Sequence, residues 1–320
     1  MCLYNSKSGE YAWRWFVARM HKKDSVQRMS IREKRDMWAF IGFTAPTFIL
    51  LAIFIFWPIF YSAYLSLFKW NMISPRKTFL GFQNYRDMFS DPVFWLVSKN
   101  TLVLGFFTVV VKMCIALYLA SQLNKKVKGS SMYRAIIFSP TFTANVAIAM
   151  VWAWIFEPTF GLLRVVMRPL GLPVIDWIHS TSHSLPAVII VLVWSGIGYD
   201  MVLFLAALKN IPVEIFDAAL VDGASPLQTF WRISFPLVSP TTFFLTITGF
   251  INVLKSFDIV RIMTEGGPLN SSNVFVHFLY QNAFQWFRTG FASALALVLF
   301  VFIMIITLLQ NRLSKHWVHY

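Results

Sequence analysis

Three acids, Glu214, Asp217 and Asp222, lie close together in a chain that has only 14 Asp and Glu among its 320 residues. On a short helix between two apolar stretches, such carboxylates can meet basic groups on a partner protein. No nucleophile–base arrangement accompanies them, and the chain has no Gly-x4-Gly-Lys-Ser/Thr phosphate loop anywhere. Other polar residues are embedded in apolar sequence: Lys112, then Tyr199 and Asp200 beside Gly196-x-Gly198, then Asn252, Lys255, Ser256 and Asp258. A charge in the middle of a membrane span costs about 2.5–3.5 kcal/mol unless it faces a partner or a cavity, so each of these is a candidate for handling a polar solute. Lys255 and Asp258, at i and i+3, have the alternative of pairing with each other. His179 and His183, at i and i+4 with Asp176 nearby, mimic a metal pair. No further ligand accompanies them, so a polar loop is expected there and no metal site.

The acids need a helix to present them. Ile211, Ile215, Ala218 and Ala219 recur at i, i+4, i+7 and i+8, giving one apolar face over about Ile211 to Leu220. Pro212 suits the first turn, and acids near that end complement the helix dipole. Asp222-Gly223 breaks the helix, because glycine tolerates the left-handed conformation of a turn. A second short helical piece then leads to Pro236, where a new apolar span begins. An ordinary polar loop is the plainer alternative, but it leaves the Ala-rich helical pattern without a reason.

The remaining elements are membrane spans. The chain is 57% hydrophobic and 13% charged, outside the range of soluble domains. Six apolar stretches are each long enough to cross a hydrocarbon core of about 30 Å: 38–57, 100–120, 135–156, 185–208, 233–258 and 291–309. The fifth is the least apolar, with Thr, Ser and Asn, and is expected to face protein or water. The net charge of +14 suits cytoplasmic loops better than nucleic acid. With the N-terminus inside, inner segments hold 17 Lys and Arg and outer segments 9, which places both termini and the 209–232 loop in the cytoplasm. Residues 1–37 carry nine basic residues, as an interfacial helix on anionic lipid or as a solvated tail. Cys2 and Cys114 suggest neither a disulfide nor a metal site. No secretory signal is read at the N-terminus, and the first span would serve for targeting. The expected fold is all-α and integral to the membrane. A basic segment (1–37) precedes a transmembrane domain (38–312) with a cytoplasmic loop at 210–236, and a short tail (313–320) follows.

Asp217-Ala218-Ala219, then Asp222-Gly223, nine residues, and Ile233-Ser234-Phe235-Pro236 resemble the EAA loop of ABC-importer permeases. The spacing matches in full; Asp217 stands for the usual Glu and Phe235 for Leu. Phe79-Leu80-Gly81-Phe82-Gln83-Asn84-Tyr85 with Asp91-Pro92, Trp152 to Phe156 with Pro158 and Gly161, and Phe257-Asp258 leading to Thr264-Glu265-Gly266-Gly267-Pro268 are similar to outer segments of the carbohydrate branch, of maltose-importer type. The resemblance implies a six-span, type I importer permease in the bacterial inner membrane, without the large periplasmic insertion of the maltose permease itself. It implies no catalysis and no cofactor in this chain. ATP and Mg would be bound by two copies of a separate ATPase, met by the loop that holds Glu214, Asp217, Ala218, Ala219, Asp222 and Gly223. A second homologous permease, a periplasmic or surface-anchored binding protein, a carbohydrate and membrane lipid complete the implied partners; nucleic acid is not among them.

The resemblance also places Ser195, Gly196, Tyr199, Gly249, Asn252, Val253 and Ser256 on the sugar, with Lys255 next to the set. Lys255 and Lys112 would favour an acidic oligosaccharide such as a uronate oligomer. With a neutral sugar, Asp258 would neutralise Lys255, and Lys112 would snorkel or pair with the second permease. The rival class is an ATP-independent secondary transporter of small polar solutes, which usually carries internal repeats; none is evident here.

Overall fold

The structure is a computed structural model and describes residues 31–125 and 128–314. The interfacial helix expected within 1–37 and most of the 313–320 tail lie outside the described residues. The chain divides into two units, Met1–Phe60 and Tyr61–Tyr320. In the first, helix α1 (Ile31–Leu51) runs into a π-helical turn at Ala52–Phe56, and α2 (Trp57–Leu65) continues from it. Pro58 accounts for the wide turn. It has no N–H to offer the carbonyl of Phe54, four residues back, and its ring would press on that carbonyl.

The second unit begins within α2 and continues into a two-stranded antiparallel hairpin, β1 (Phe68–Lys69) and β2 (Thr78–Phe79), with Phe68 opposite Phe79. Helix α3 (Gln83–Ser90) follows, and its Asn84 Nδ2 donates to the carbonyls of Ser66 and Phe68. Asp91 then caps α4 (Pro92–Leu123), accepting the Val93 N–H at 2.8 Å with Pro92 in the first turn. At 32 residues α4 is about 48 Å long, so it projects beyond the 100–120 stretch read as its span.

Two of the expected spans are broken helices. The third consists of α5 (Ser130–Phe138), a 3₁₀ turn (Ser139–Phe142) and α6 (Asn145–Phe156), with an angle of 101° between its two arms. Pro140 disrupts the first arm, and Thr143 and Ala144 are extended. Helix α7 (Leu162–Met167) leads to α8 (Ser184–Lys209), the fourth span. Helix α9 (Val213–Val221) is the expected acidic helix, beginning after Pro212, which stands at its N-cap. Helix α10 (Pro226–Thr229) starts from a capping box of Ser225 and Gln228, passes through a π turn at Phe230–Ser234 and ends as α11 (Phe235–Leu237). The π turn again stops two residues before a proline, here Pro236, repeating the arrangement ahead of Pro58. A 63° bend at Val238 separates this arm from α12 (Ser239–Leu254).

Because α12 ends at Leu254, Lys255 is its C-cap, and Asp258 begins a different helix, α13 (Asp258–Met263). The fifth stretch therefore ends as helix at Leu254, short of the Asp258 bound read from sequence. Helix α14 (Phe275–Tyr280) and a π turn (Gln281–Gln285) precede α15 (Thr289–Ser314), the last and most apolar span. Among the described residues, four single helices are long and apolar enough to cross a membrane, or up to six spans if each bent pair counts as one.

The second unit packs chiefly along α4 and α8. Leu104, Val109, Val188, Val191, Val253 and Ile259 form one apolar cluster with α6 residues Ile148 and Ala149. Ala116, Ala120, Met201, Phe204, Leu208 and Leu245 form a second cluster nearer the α9 end of α8. The small residues on α4 let that helix approach α8 closely. Between the two clusters the apolar packing is interrupted by polar side chains.

Candidate functional site

That interruption is a cavity of about 410 Å³. Helix α4 supplies Thr108 and Lys112, one turn apart. Helix α8 supplies Leu192, Ser195, Gly196 and Tyr199, and α12 supplies Gly249, Asn252 and Val253; both sets follow the i, i+3, i+4 rhythm of a single helix face. Asn145 enters at the start of α6, and the non-helical segment after α12 adds Lys255, Ser256 and Phe257 before Asp258 and Ile259. Ser195, Gly196, Tyr199, Gly249, Asn252, Val253, Lys255 and Ser256, all named from sequence, therefore stand around one space. An aromatic ring with amide, hydroxyl and ammonium groups can stack on a sugar face and hydrogen-bond its hydroxyls.

The charges are not arranged as the sequence suggested. Lys112 Nζ lies 3.1 Å from Asp200 Oδ2, and both side chains are almost completely buried. Lys112 thus has its counter-ion within the chain and neither snorkels nor waits for another subunit. Its path crosses Gly196, where a Cβ would stand 2.8 Å from Lys112 Cδ. A side chain at this position would have to push the Lys112 stem aside. Lys255 and Asp258 make no ion pair, because the helix that would align them ends before both. Sequence reading found Lys112 and Asp200 separately. The sequence carries no signal that joins them, because the register of α4 against α8 is set by packing. Asn145 was missed because the break after Pro140 was read as continuous helix.

The predicted coupling residues gather at the other feature, an open groove of about 770 Å³. Glu214, Ala218, Ala219, Asp222 and Gly223 line it with Ile215, Ala224, Gln228 and Arg232 among others; Asp217 is exposed on α9 and does not line it. Gly223 has φ of 72°, and the Ala224 and Gly223 N–H groups donate to the Ala219 and Leu220 carbonyls at 2.9 and 3.1 Å. This closes α9 with a Schellman turn. Leu220 and Val221 are exposed at its end, 75% and 87% respectively. None of the three acids forms an ion pair among the described residues.

Over the cavity, Phe257 packs against Tyr280 and His277, with ring centroids 4.9 and 5.9 Å away. The Thr264–Asn273 loop behind them is pinned from several sides. Asn100 Nδ2 donates to the Asn270 and Asn273 carbonyls, and the single Ser272 hydroxyl proton is shared between Thr264 Oγ1 and the Gly267 carbonyl, each 2.8 Å from Ser272 Oγ. Asn273 Nδ2 gives both protons away, to Asn270 Oδ1 and Gln281 Oε1, so its Oδ1 must accept from His277 Nδ1. His277 Nε2 is left buried without a partner. Burial, and secondarily the Arg261 charge, lowers its pKa from 6.5 to about 4. The histidine pair of the preceding loop does not converge: His179 meets Asp176 at 3.3 Å, whereas His183 meets Ser180. No cluster of three or more potential metal ligands occurs among the described residues.

Residues 112–319 match the family of binding-protein-dependent transport system inner membrane components. The probable ABC transporter permease protein YurN of Bacillus subtilis is 32% identical over 277 residues, covering 85% of this chain and 94% of the relative. The multiple sugar-binding transport system permease protein MsmF of Streptococcus mutans is 32% identical over 289 residues, covering 90% and 99%. Among solved structures, a bacterial ABC transporter involved in the import of the acidic polysaccharide alginate shares the fold. Its TM-score is 0.76 at 24% identity, over 88% of this chain and 96% of that one.

Proposed function

This chain belongs to the binding-protein-dependent transport system inner membrane components, and from that premise we propose that it is a permease subunit of an ATP-driven sugar importer. The observation that carries this reading is the single cavity on which Ser195, Tyr199, Asn252 and Ser256 converge, flanked by glycines and bordered by Lys255. The sugar-transport relative supports the same cargo class. In this reading the chain has six spans, each bent pair crossing once, and both termini lie in the cytoplasm of a bacterial inner membrane. It forms half of the pathway, with a second homologous permease forming the other half. A periplasmic or surface-anchored binding protein delivers the sugar.

ATP is hydrolysed by two copies of a separate subunit. Helix α9 sits in a cleft of one of them, with Asp217 facing a basic residue and Leu220 and Val221 covered by the contact. Closure of the ATPases rocks the permeases, as rigid bodies, between inward- and outward-facing forms. The structure weighs on cargo charge in both directions. Asp200 offsets Lys112, which removes that lysine from the case for an acidic cargo, whereas Lys255 stands at the cavity wall with no ion-pair partner among the described residues. An acidic oligosaccharide, of the uronate kind, therefore rests on Lys255 alone. Lys255→Met removes the charge and keeps the length. If the cargo is acidic, uptake of a uronate oligomer by cells carrying the variant falls at least tenfold at unchanged protein level. Unchanged uronate uptake, or a wild type that moves only neutral sugars, assigns the cavity to a neutral oligosaccharide.

A further inference from the structure

Lys112 uses little of its hydrogen-bonding capacity. Its ammonium carries three N–H groups and lies 3.1 Å from Asp200 Oδ2 as an ion pair, but no acceptor takes a hydrogen bond from it among the described residues. The ammonium is also carried to a place where three spans open. Its Nζ is 3.6 Å from where a Cβ would stand at Gly196 on α8 and 3.8 Å from the same point at Gly249 on α12. One turn earlier on α4, Thr108 Oγ1 is buried beside the cavity and has no hydrogen-bond partner. Replacing a buried ion pair by apolar residues is moreover often neutral or stabilising, so stability alone does not call for the pair.

We propose that Lys112 is a specificity-determining ligand for the cargo, donating to a sugar oxygen where α4, α8 and α12 meet, and that Asp200 is the residue that positions it. The inference rests on the reading of the chain as a sugar permease. Because Asp200 offsets the charge, the site calls for an acceptor oxygen and not for a net negative group. A hydroxyl of a neutral sugar and an oxygen of a uronic acid both satisfy it. Lys112 therefore reads the presence and position of an oxygen, a task separate from the charge selection assigned to Lys255. Gly196 is, in turn, the gap beside which the Lys112 stem passes to bring the ammonium to the cavity.

The test uses the intact complex, with its partner permease, ATPases and binding protein, reconstituted in vesicles. Uptake of a labelled neutral trisaccharide and of a labelled uronic-acid trisaccharide is measured per assembled complex. Binding of the same probes is measured without the binding protein. Lys112→Met leaves Asp200 buried without a partner, so the decisive variant is Lys112→Met with Asp200→Asn, which removes both charges. The double variant should bind and transport at least tenfold less of whichever trisaccharide the wild type takes up. Gly196→Ala, which keeps both charges but displaces the Lys112 stem, should fall between it and wild type. Recovery of the double variant to within twofold of wild type would reduce Lys112 to a counter-ion and overturn the proposal. So would a loss confined to the acidic probe when the wild type takes up both. If the wild type moves its sugar and the variants match it, this inference fails and the permease reading stands; a wild-type complex that moves neither probe overturns both.

Discussion

At the scale of single residues, burial decides which charges are free to work. Asp200 is the least exposed acid in the chain's described part, and Lys112 is its only close ion-pair partner. Removing Lys112 alone is expected to cost about 3–5 kcal/mol, the usual cost of leaving one member of a buried pair behind. Thermal melts of the purified complex should therefore rank Lys112→Met below the double variant with Asp200→Asn. A single variant as stable as the double would mean that the two groups do not depend on each other. His277 gives a second test at this scale. Its folded pKa of about 4 is below the ordinary 6.5, so the unfolded chain binds the proton more readily between those values. Its stabilising contribution is complete above pH 6.5 and is lost as pH falls toward 4. A shift of that size corresponds to at most about 3 kcal/mol. Melting temperature should decline over that window in the wild type and decline less in His277→Gln. Identical acid slopes would remove His277 from the explanation. No sequence pattern pointed to this histidine, because its burial depends on Asn273 and Phe257 arriving from a loop and from the end of another helix.

At the scale of elements, the acidic helix was legible because everything that defines it is local. The apolar rhythm, the proline at its start and the Asp-Gly at its end specify α9 without help from distant residues. Its bounds moved by about two residues, since Pro212 caps the helix and does not enter it. The spans were legible as apolar length, but their breaks were not. The 101° bend needs Pro140 to act together with two extended residues, and an apolar run disguises that combination. The end of α12 at Leu254 was hidden for the same reason, and with it went the expected pairing of Lys255 with Asp258. The turn after α9 offers a direct test. Gly223 occupies a left-handed conformation, which costs an L-residue about 1–2 kcal/mol and which proline cannot adopt. Gly223→Pro is expected to disorder the α9–α10 connection, and Asp217→Lys to place a positive charge against the basic residue expected on the ATPase. Both variants should lose sugar uptake, and sugar-stimulated ATP hydrolysis with it, while the binding protein still docks. Normal uptake in both would show that this loop does not couple the two reactions.

At the scale of the whole molecule, the count of 17 inner against 9 outer basic residues predicts cytoplasmic termini. A reporter fused after Tyr320 should be active only in its cytoplasmic form, and a signal from the periplasmic form would invert the topology. Composition and periodicity reach as far as a membrane protein of several helical spans. The cavity was not legible from them, because it is assembled from α4, α6, α8 and α12, whose registers are set by packing. It was the resemblance of the outer segments and the EAA-like loop that placed Tyr199, Asn252 and Ser256 together before the fold was seen. The central claim is that this cavity belongs to a pathway driven by a separate ATPase, and one measurement addresses it directly. The complex is purified with its partner subunits, reconstituted with the binding protein, and assayed for ATP hydrolysis across a panel of oligosaccharides while uptake is followed. One sugar class should stimulate hydrolysis at least severalfold and accumulate in the vesicles only when ATP is present. Accumulation of a solute by this chain alone, without ATPase subunits and driven by an ion gradient, would contradict it.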